Sequence, residues 1–154
     1  MTRRARIIGV GNPMAGDDGV GIEVVRAIAR TGANDGVDLS ELADPSRLVE
    51  LLTDGADPVV IIDALLDSHS PGRVMRISQS SAKDERLLST HGLGIFEAIE
   101  LARATYPDRI APHIEIVAIA VSGANRTGAA LSPEIAALVP HAAREALRLV
   151  RSIP

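Results

Sequence analysis

"ARIIGVGNPMAGDDGVGIEVVRAIART" (residues 5–31) decides how the rest of the chain is read. "ARIIGV" is a short apolar run ending among glycines, the pattern of a buried strand. After the glycines, Val20, Val24 and Ile28, flanked by Ile22 and Val25, recur at helical spacing, and Gly32 terminates the run. The stretch is therefore a strand, a tight glycine-rich turn and a helix. A fold that opens this way puts a helix on the face of a parallel sheet.

Working outward, the same alternation continues. "VDLSEL" (37–42) reads as a second strand. "DPSRLVELLTDG" (44–55) carries helix punctuation at both ends, with Asp44 as N-cap, Pro45 at the first helical position and Gly55 just past the end. "PVVIID" (58–63) is β-branched with no polar alternation, as a central strand buried on both faces would be. "RVMRIS" (73–78) follows after too few residues for a crossover helix, which predicts an edge strand, with antiparallel pairing open to it. Residues 79–90 read as a polar loop, 92–106 as an amphipathic helix, and "HIEIVAIAV" (113–121) as a long strand. The closing helix starts at Ser132 as N-cap with Pro133 behind it, and Pro140 should kink or interrupt it. The expectation is one domain, residues 1–154: a three-layer α/β/α architecture around an about five-stranded, mostly parallel twisted sheet.

Composition narrows the function. The 154 residues contain no cysteine, which excludes disulfides, thiolate metal sites and a cysteine nucleophile. That fits a cytoplasmic setting. Phe96 and Tyr106 are the only aromatics, so base stacking is effectively unavailable, and a net charge of −4 opposes phosphate-backbone binding. All basic residues but Lys83 are arginine. The basic N-terminus runs into too short an apolar stretch for a signal peptide, and no stretch approaches a membrane span. Neither nucleic acid nor membrane is an expected partner.

Sites in such sheets gather beyond the carboxyl ends of the strands. The loop "GVGNPMAGDDGVG" (9–21) is not a phosphate cradle. It lacks the Lys-Ser/Thr pair of a P-loop, Met14 stands where a third dinucleotide glycine belongs, and two carboxylates would repel a pyrophosphate. Asp17 is suited to cap the following helix. Asp18 is either a second first-turn acid favoured by the helix dipole or a carboxylate presented to a ligand. Asp63 ends "VVIID": it either begins a turn or sits at the sheet's active edge, where a charge needs a partner. His91, in "STHGLG" before a helix, is open to a structural or a ligating role. His69 in "DSHSPG" is the runner-up ligand. Together Asp18, Asp63 and His91 form an oxygen, oxygen, nitrogen set suited to a borderline divalent ion such as nickel or zinc, with open coordination positions.

These residues carry a family likeness. "IIGVGNPMAGDDGVGIEVVRAI" (7–28) resembles the opening signature of the hydrogenase maturation proteases, which process the large-subunit precursor of nickel-iron hydrogenases. "VVIIDALLDSHSPGRVMRI" (59–77), "STHGLGIFEAIELAR" (89–103) and "GAALSPEIAALVPHA" (128–142) are similar to the later blocks of that family, in order. The resemblance implies a three-layer α/β fold and a metal-dependent endopeptidase that removes a C-terminal extension after nickel insertion. It also implies that Asp18, Asp63 and His91 are the metal-binding and catalytic positions. Nickel would arrive with the precursor, with zinc or cadmium able to stand in for it in a crystal, and a monomer is expected. Two features differ from the common family pattern. Asp18 stands where glutamate is frequent, and "ELADPSRLVELL" stands where many members have Gly-Gly-Thr after the second strand. A noncatalytic assembly chaperone and a phosphate- or nucleotide-binding domain are the alternatives from other functional classes.

Overall fold

The computed structural model describes residues 3–67, 70–77, 88–89 (backbone), 94–123, 125, 128 and 130–153. Its strands are β1 (Ala5–Val10), β2 (Val37–Leu42), β3 (Val59–Leu66), β4 (Val74–Ile77), β5 (Leu88–Ser89) and β6 (Ile114–Val121). The main path runs β2-β1-β3-β6-β4. The β1–β2, β1–β3 and β3–β6 pairs are parallel, and β4 closes the edge antiparallel to β6. This is the five-stranded, mostly parallel sheet expected from the sequence, with β4 at its edge. The two-residue β5 adds an antiparallel pairing on β3, Leu65 with Ser89 and Leu66 with Leu88. The rest of the polar 79–90 stretch lies outside the described residues.

Among the described residues the helices are α1 (Val20–Thr31), α2 (Leu48–Leu52), α3 (Gly94–Thr105), α4 (Pro133–Ala136) and α5 (Val139–Ser152). Strand alternation sorts the core into two halves. Ile7, Val60, Ile62, Val117 and Ile119 face α1 and α5 through Val24, Ile28, Ala146 and Leu149. Ile8, Ile61, Leu65, Ile116 and Ala118 face α2 and α3 through Leu48, Leu52, Ile95 and Ile99. Aliphatic and alanine side chains fill both halves, as so few aromatics require.

Helix punctuation follows the sequence with two differences. Asp44 accepts from the backbone N–H of Ser46 at 2.9 Å, and that bond holds its carboxyl below the usual range. The capped turn is 3-10, Pro45–Arg47, and α2 itself begins only at Leu48. The closing helix is split. It breaks at Ala137–Leu138, and Pro140 occupies the first turn of α5, where its missing N–H costs no helical bond.

The glycines of the first turn serve packing. A Cβ on Gly21 would lie 2.4 Å from the Ile62 carbonyl oxygen and 2.6 Å from that of Val10; one on Gly9 would lie 2.4 Å from the Gly21 oxygen. Helix α1 therefore starts with its backbone seated directly on β1 and β3. Gly21→Ala should cost about 3 kcal/mol or more, because rigid backbone must move, and lower Tm by about 6–12 °C. A thermal melt within 2 °C or so of wild type would show that the helix can lift without penalty.

Candidate active site

At the carboxyl edge of the sheet, β1 ends at Val10 and the chain turns into a 3-10 segment, Gly16–Gly19, before α1. This segment carries Asp17 and Asp18, which are 4% and 7% exposed. It packs against β3. Its approach is close: a Cβ on Gly11 would meet the Asp18 carbonyl oxygen at 2.2 Å.

Asp63 is 3% exposed. The sequence suggests that β3 ends at this residue, but the strand continues to Leu66. The reason is its pairing. β1 accompanies β3 only as far as Gly9 opposite Ile62, whereas β6 follows it to Val121 opposite Leu66, and β5 joins at Leu65. Asp63 thus occupies the one-strand gap where β1 has departed and β5 has not begun. Alternation places its side chain on the α2–α3 face, with Ile61 and Leu65. One carboxylate oxygen accepts from the Ala64 N–H at 2.8 Å. Asp18 and Asp63 flank one packing contact: Gly21, three residues after Asp18, touches Ile62, the residue before Asp63.

His91 and the runner-up His69 lie outside the described residues. His113 is at the opposite edge, where its backbone N–H donates to Asp57 at 3.0 Å and its ring Nδ1 sits 3.3 Å from the same carboxylate. Among the described residues no three His, Asp or Glu side chains form a metal cluster.

Asp17 departs from its expected role. It makes no capping bond to the 3-10 segment or to α1. Its carboxylate instead accepts from the Ser132 N–H at 2.7 Å, the Ser132 hydroxyl at 2.9 Å and the Asn125 amide at 3.3 Å. The Ser132 oxygen in turn caps α4 by accepting from the Ile135 N–H at 3.4 Å. Backbone bonds reinforce the link, from Asp17 N–H to the Asn125 oxygen at 2.9 Å and from Gly16 N–H to the Gly128 oxygen at 2.6 Å. The first turn is thereby fastened to the segment following β6. Ser132-Pro133 is visible in the sequence as a helix start; that its hydroxyl answers to Asp17 is not.

The family model for hydrogenase maturation proteases matches residues 22–149. The chain belongs to the hydrogenase maturation protease family. That match includes Asp63 and His91 and begins downstream of Asp18. Among solved structures, the chain is similar to the NiFe hydrogenase maturation protease HybD from Thermococcus kodakarensis, with a TM-score of 0.78, 27% identity, and coverage of 96% of this chain and 99% of that one. It also shares its fold with the hydrogenase maturating endopeptidase HybD from E. coli, with a TM-score of 0.77, 20% identity, and coverage of 97% and 93%. The HycI protease from T. kodakarensis KOD1 matches at a TM-score of 0.69, 20% identity, and coverage of 96% and 92%. No curated protein matches the chain in sequence. No helix among the described residues is long and apolar enough to cross a membrane.

The Asp17 link makes a stability prediction. Asp17→Ala should lose about 3 kcal/mol, since it strands buried donors and removes charge-assisted bonds. Ser132→Ala should lose about 1 kcal/mol as a lost cap. The double variant should be less destabilised than the sum, because both remove the same bond. Additive losses in urea unfolding would contradict the coupling.

Proposed function

We propose that the chain is the endopeptidase that removes the C-terminal extension of a nickel-iron hydrogenase large-subunit precursor after nickel insertion, in the cytoplasm and as a monomer. Asp18, Asp63 and His91 are the residues that engage the metal the precursor carries. One observation supports this most: two carboxylates, almost wholly buried, sit at the same sheet edge beside the contact where α1 meets β3. Carboxylates so withdrawn from water are stable when hydrogen-bonded or held by a cation. Two oxygen donors with an imidazole nitrogen make a donor set suited to nickel, and zinc or cadmium fits the same set.

Nickel bound to the precursor would supply Lewis acidity toward the scissile carbonyl or a water. Asp18, on a turn fastened by Asp17, holds its carboxylate in a fixed place. Asp63 has one oxygen oriented by the Ala64 N–H. It acts either as a metal ligand or as the general base that takes a proton from the attacking water. His91 follows Ser89 by two residues in the chain, and Ser89 pairs with Leu65, two residues beyond Asp63. The first-turn glycines are engaged in internal packing, so the substrate must meet side chains at this edge instead of glycine backbone.

Single Asp18→Ala, Asp63→Ala and His91→Ala variants should each slow shortening of nickel-loaded precursor by about 100-fold or more. Intact-protein mass measures this directly. Full processing by all three variants would sink the assignment. A precursor bound without loss of mass by the wild type would identify a chaperone instead. Precursor lacking nickel should remain uncut, and its efficient cleavage would remove the metal-reading role.

A further inference from the structure

A groove of about 390 Å³ lies between the Asp44–Val49 segment and the first half of α3. Pro45, Val49, Ala98 and Leu101 supply its apolar surface, and Asp44 and Glu97 add two carboxylates. Leu101 is 57% exposed. A single exposed leucine is ordinary. Here it belongs to a concave strip, because Gly94 lets α3 approach until a Cβ there would touch Pro45 at 2.9 Å.

The charge is one-sided. Among the described residues, no basic side chain lines the groove. The neighbouring cations Arg47 and Arg103 are engaged with Glu50 at 3.9 Å and Glu100 at 3.4 Å. The Ser46 N–H bond holds the Asp44 carboxyl below its usual range. Position matters as well. The groove lies on the α2–α3 face, the face to which strand alternation assigns Asp63, and it reaches the start of α3.

We propose that this groove docks a segment of the precursor polypeptide that lays an aliphatic side chain on Pro45, Val49, Ala98 and Leu101 and an arginine or lysine against Asp44 and Glu97. The inference rests on the maturation-protease reading and adds a recognition surface to it. An aliphatic contact and an exposed ion pair contribute binding shared by ground and transition states, so their loss appears in KM and leaves kcat in place. The ionic part is screened by salt.

The test uses the full chain and nickel-loaded precursor, with initial rates measured over a range of precursor concentration. Glu97→Arg should raise KM about tenfold, as an exposed attraction becomes a repulsion, and should lose the salt dependence of the wild type. Leu101→Glu should raise KM similarly, and kcat should stay within about twofold in both. Both side chains are exposed, so circular dichroism should be unchanged. Asp35→Arg makes the same charge change on the turn after α1 and should leave KM unaltered.

Wild-type kinetics in Glu97→Arg and Leu101→Glu would overturn the groove, as would an equal rise in KM for Asp35→Arg. A loss confined to kcat would do the same. A wild-type dimer in light scattering that Glu97→Arg converts to monomer would assign the groove to a second copy and overturn the proposal. Should the wild type leave the precursor's mass unchanged, the protease reading fails by itself. Precursor affinity by biolayer interferometry then decides the groove, weakened binding by Glu97→Arg upholding it and unchanged binding overturning it.

Discussion

The backbone contact between Gly21 and the carbonyl oxygens of Ile62 and Val10 is the constraint on which the rest of this molecule depends. An ordinary helix packs on a sheet through a layer of side chains, burying its apolar stripe against the sheet face. Here the first turn of α1 has no side chain at the point of contact, and Gly9 beneath it has none either. The helix start therefore drops into the sheet where β1 leaves β3. The preceding 3-10 segment follows it down, and both of its aspartates become buried. Any side chain at Gly21 would lift the turn that carries Asp18 away from the strand that carries Asp63.

That descent creates a problem of buried charge, which the two neighbouring aspartates meet differently. Asp17 is surrounded by donors from the chain's other end, from Ser132 and Asn125, more than a hundred positions away. Three hydrogen bonds compensate a carboxylate that would otherwise resist leaving water. In doing so they hold the carboxyl-edge turn of β1 against the segment after β6. Asp18, the next residue on the same short segment, does not share these Asp17 bonds and is also almost wholly buried. One residue of displacement on a 3-10 turn rotates a side chain by about a third of a circle, which is why adjacent identical residues serve different ends.

Much of this was legible in the sequence, and what was not has a common cause. The strand-turn-helix opening, the β-branched β3, the antiparallel edge β4 and the capped start at Ser132-Pro133 all rest on local chemistry, and local chemistry is written in order along the chain. The length of β3 was not legible, because Leu65 and Leu66 extend the strand only by pairing with β5 and β6. Asp17 was read as a helix cap for the same reason. Its partners are remote, and a first-turn aspartate before a helix looks like a cap in any local reading. The glycines of 9–21 announce a tight turn in the sequence, but not that the protein's own backbone fills the space their missing side chains leave. For Asp18 and Asp63 local chemistry leaves a structural and a ligating role open, since acids are favoured at a helix start and a strand-end aspartate can begin a turn; the family resemblance is what singles them out.

The face on which Asp63 stands follows from parity. Ile62 and Ala64 point into the half of the core packed by α1 and α5. Asp63 points into the other half, where α2 is only five residues long and is preceded by a 3-10 turn. A short helix cannot cover the full height of a strand that runs eight residues. At 1.5 Å per helical residue against about 3.3 Å per strand residue, α2 spans roughly a third of β3. The remaining cover on this face comes from α3, whose Ile95 and Ile99 lie in the same half of the core as Ile61 and Leu65, and Asp63 between those two strand residues is almost wholly buried. The brevity of α2, which follows the 3-10 turn capped by Asp44 and ends at Leu52 with Thr53 as its C-cap, leaves α3 as the long helix on the face of Asp63.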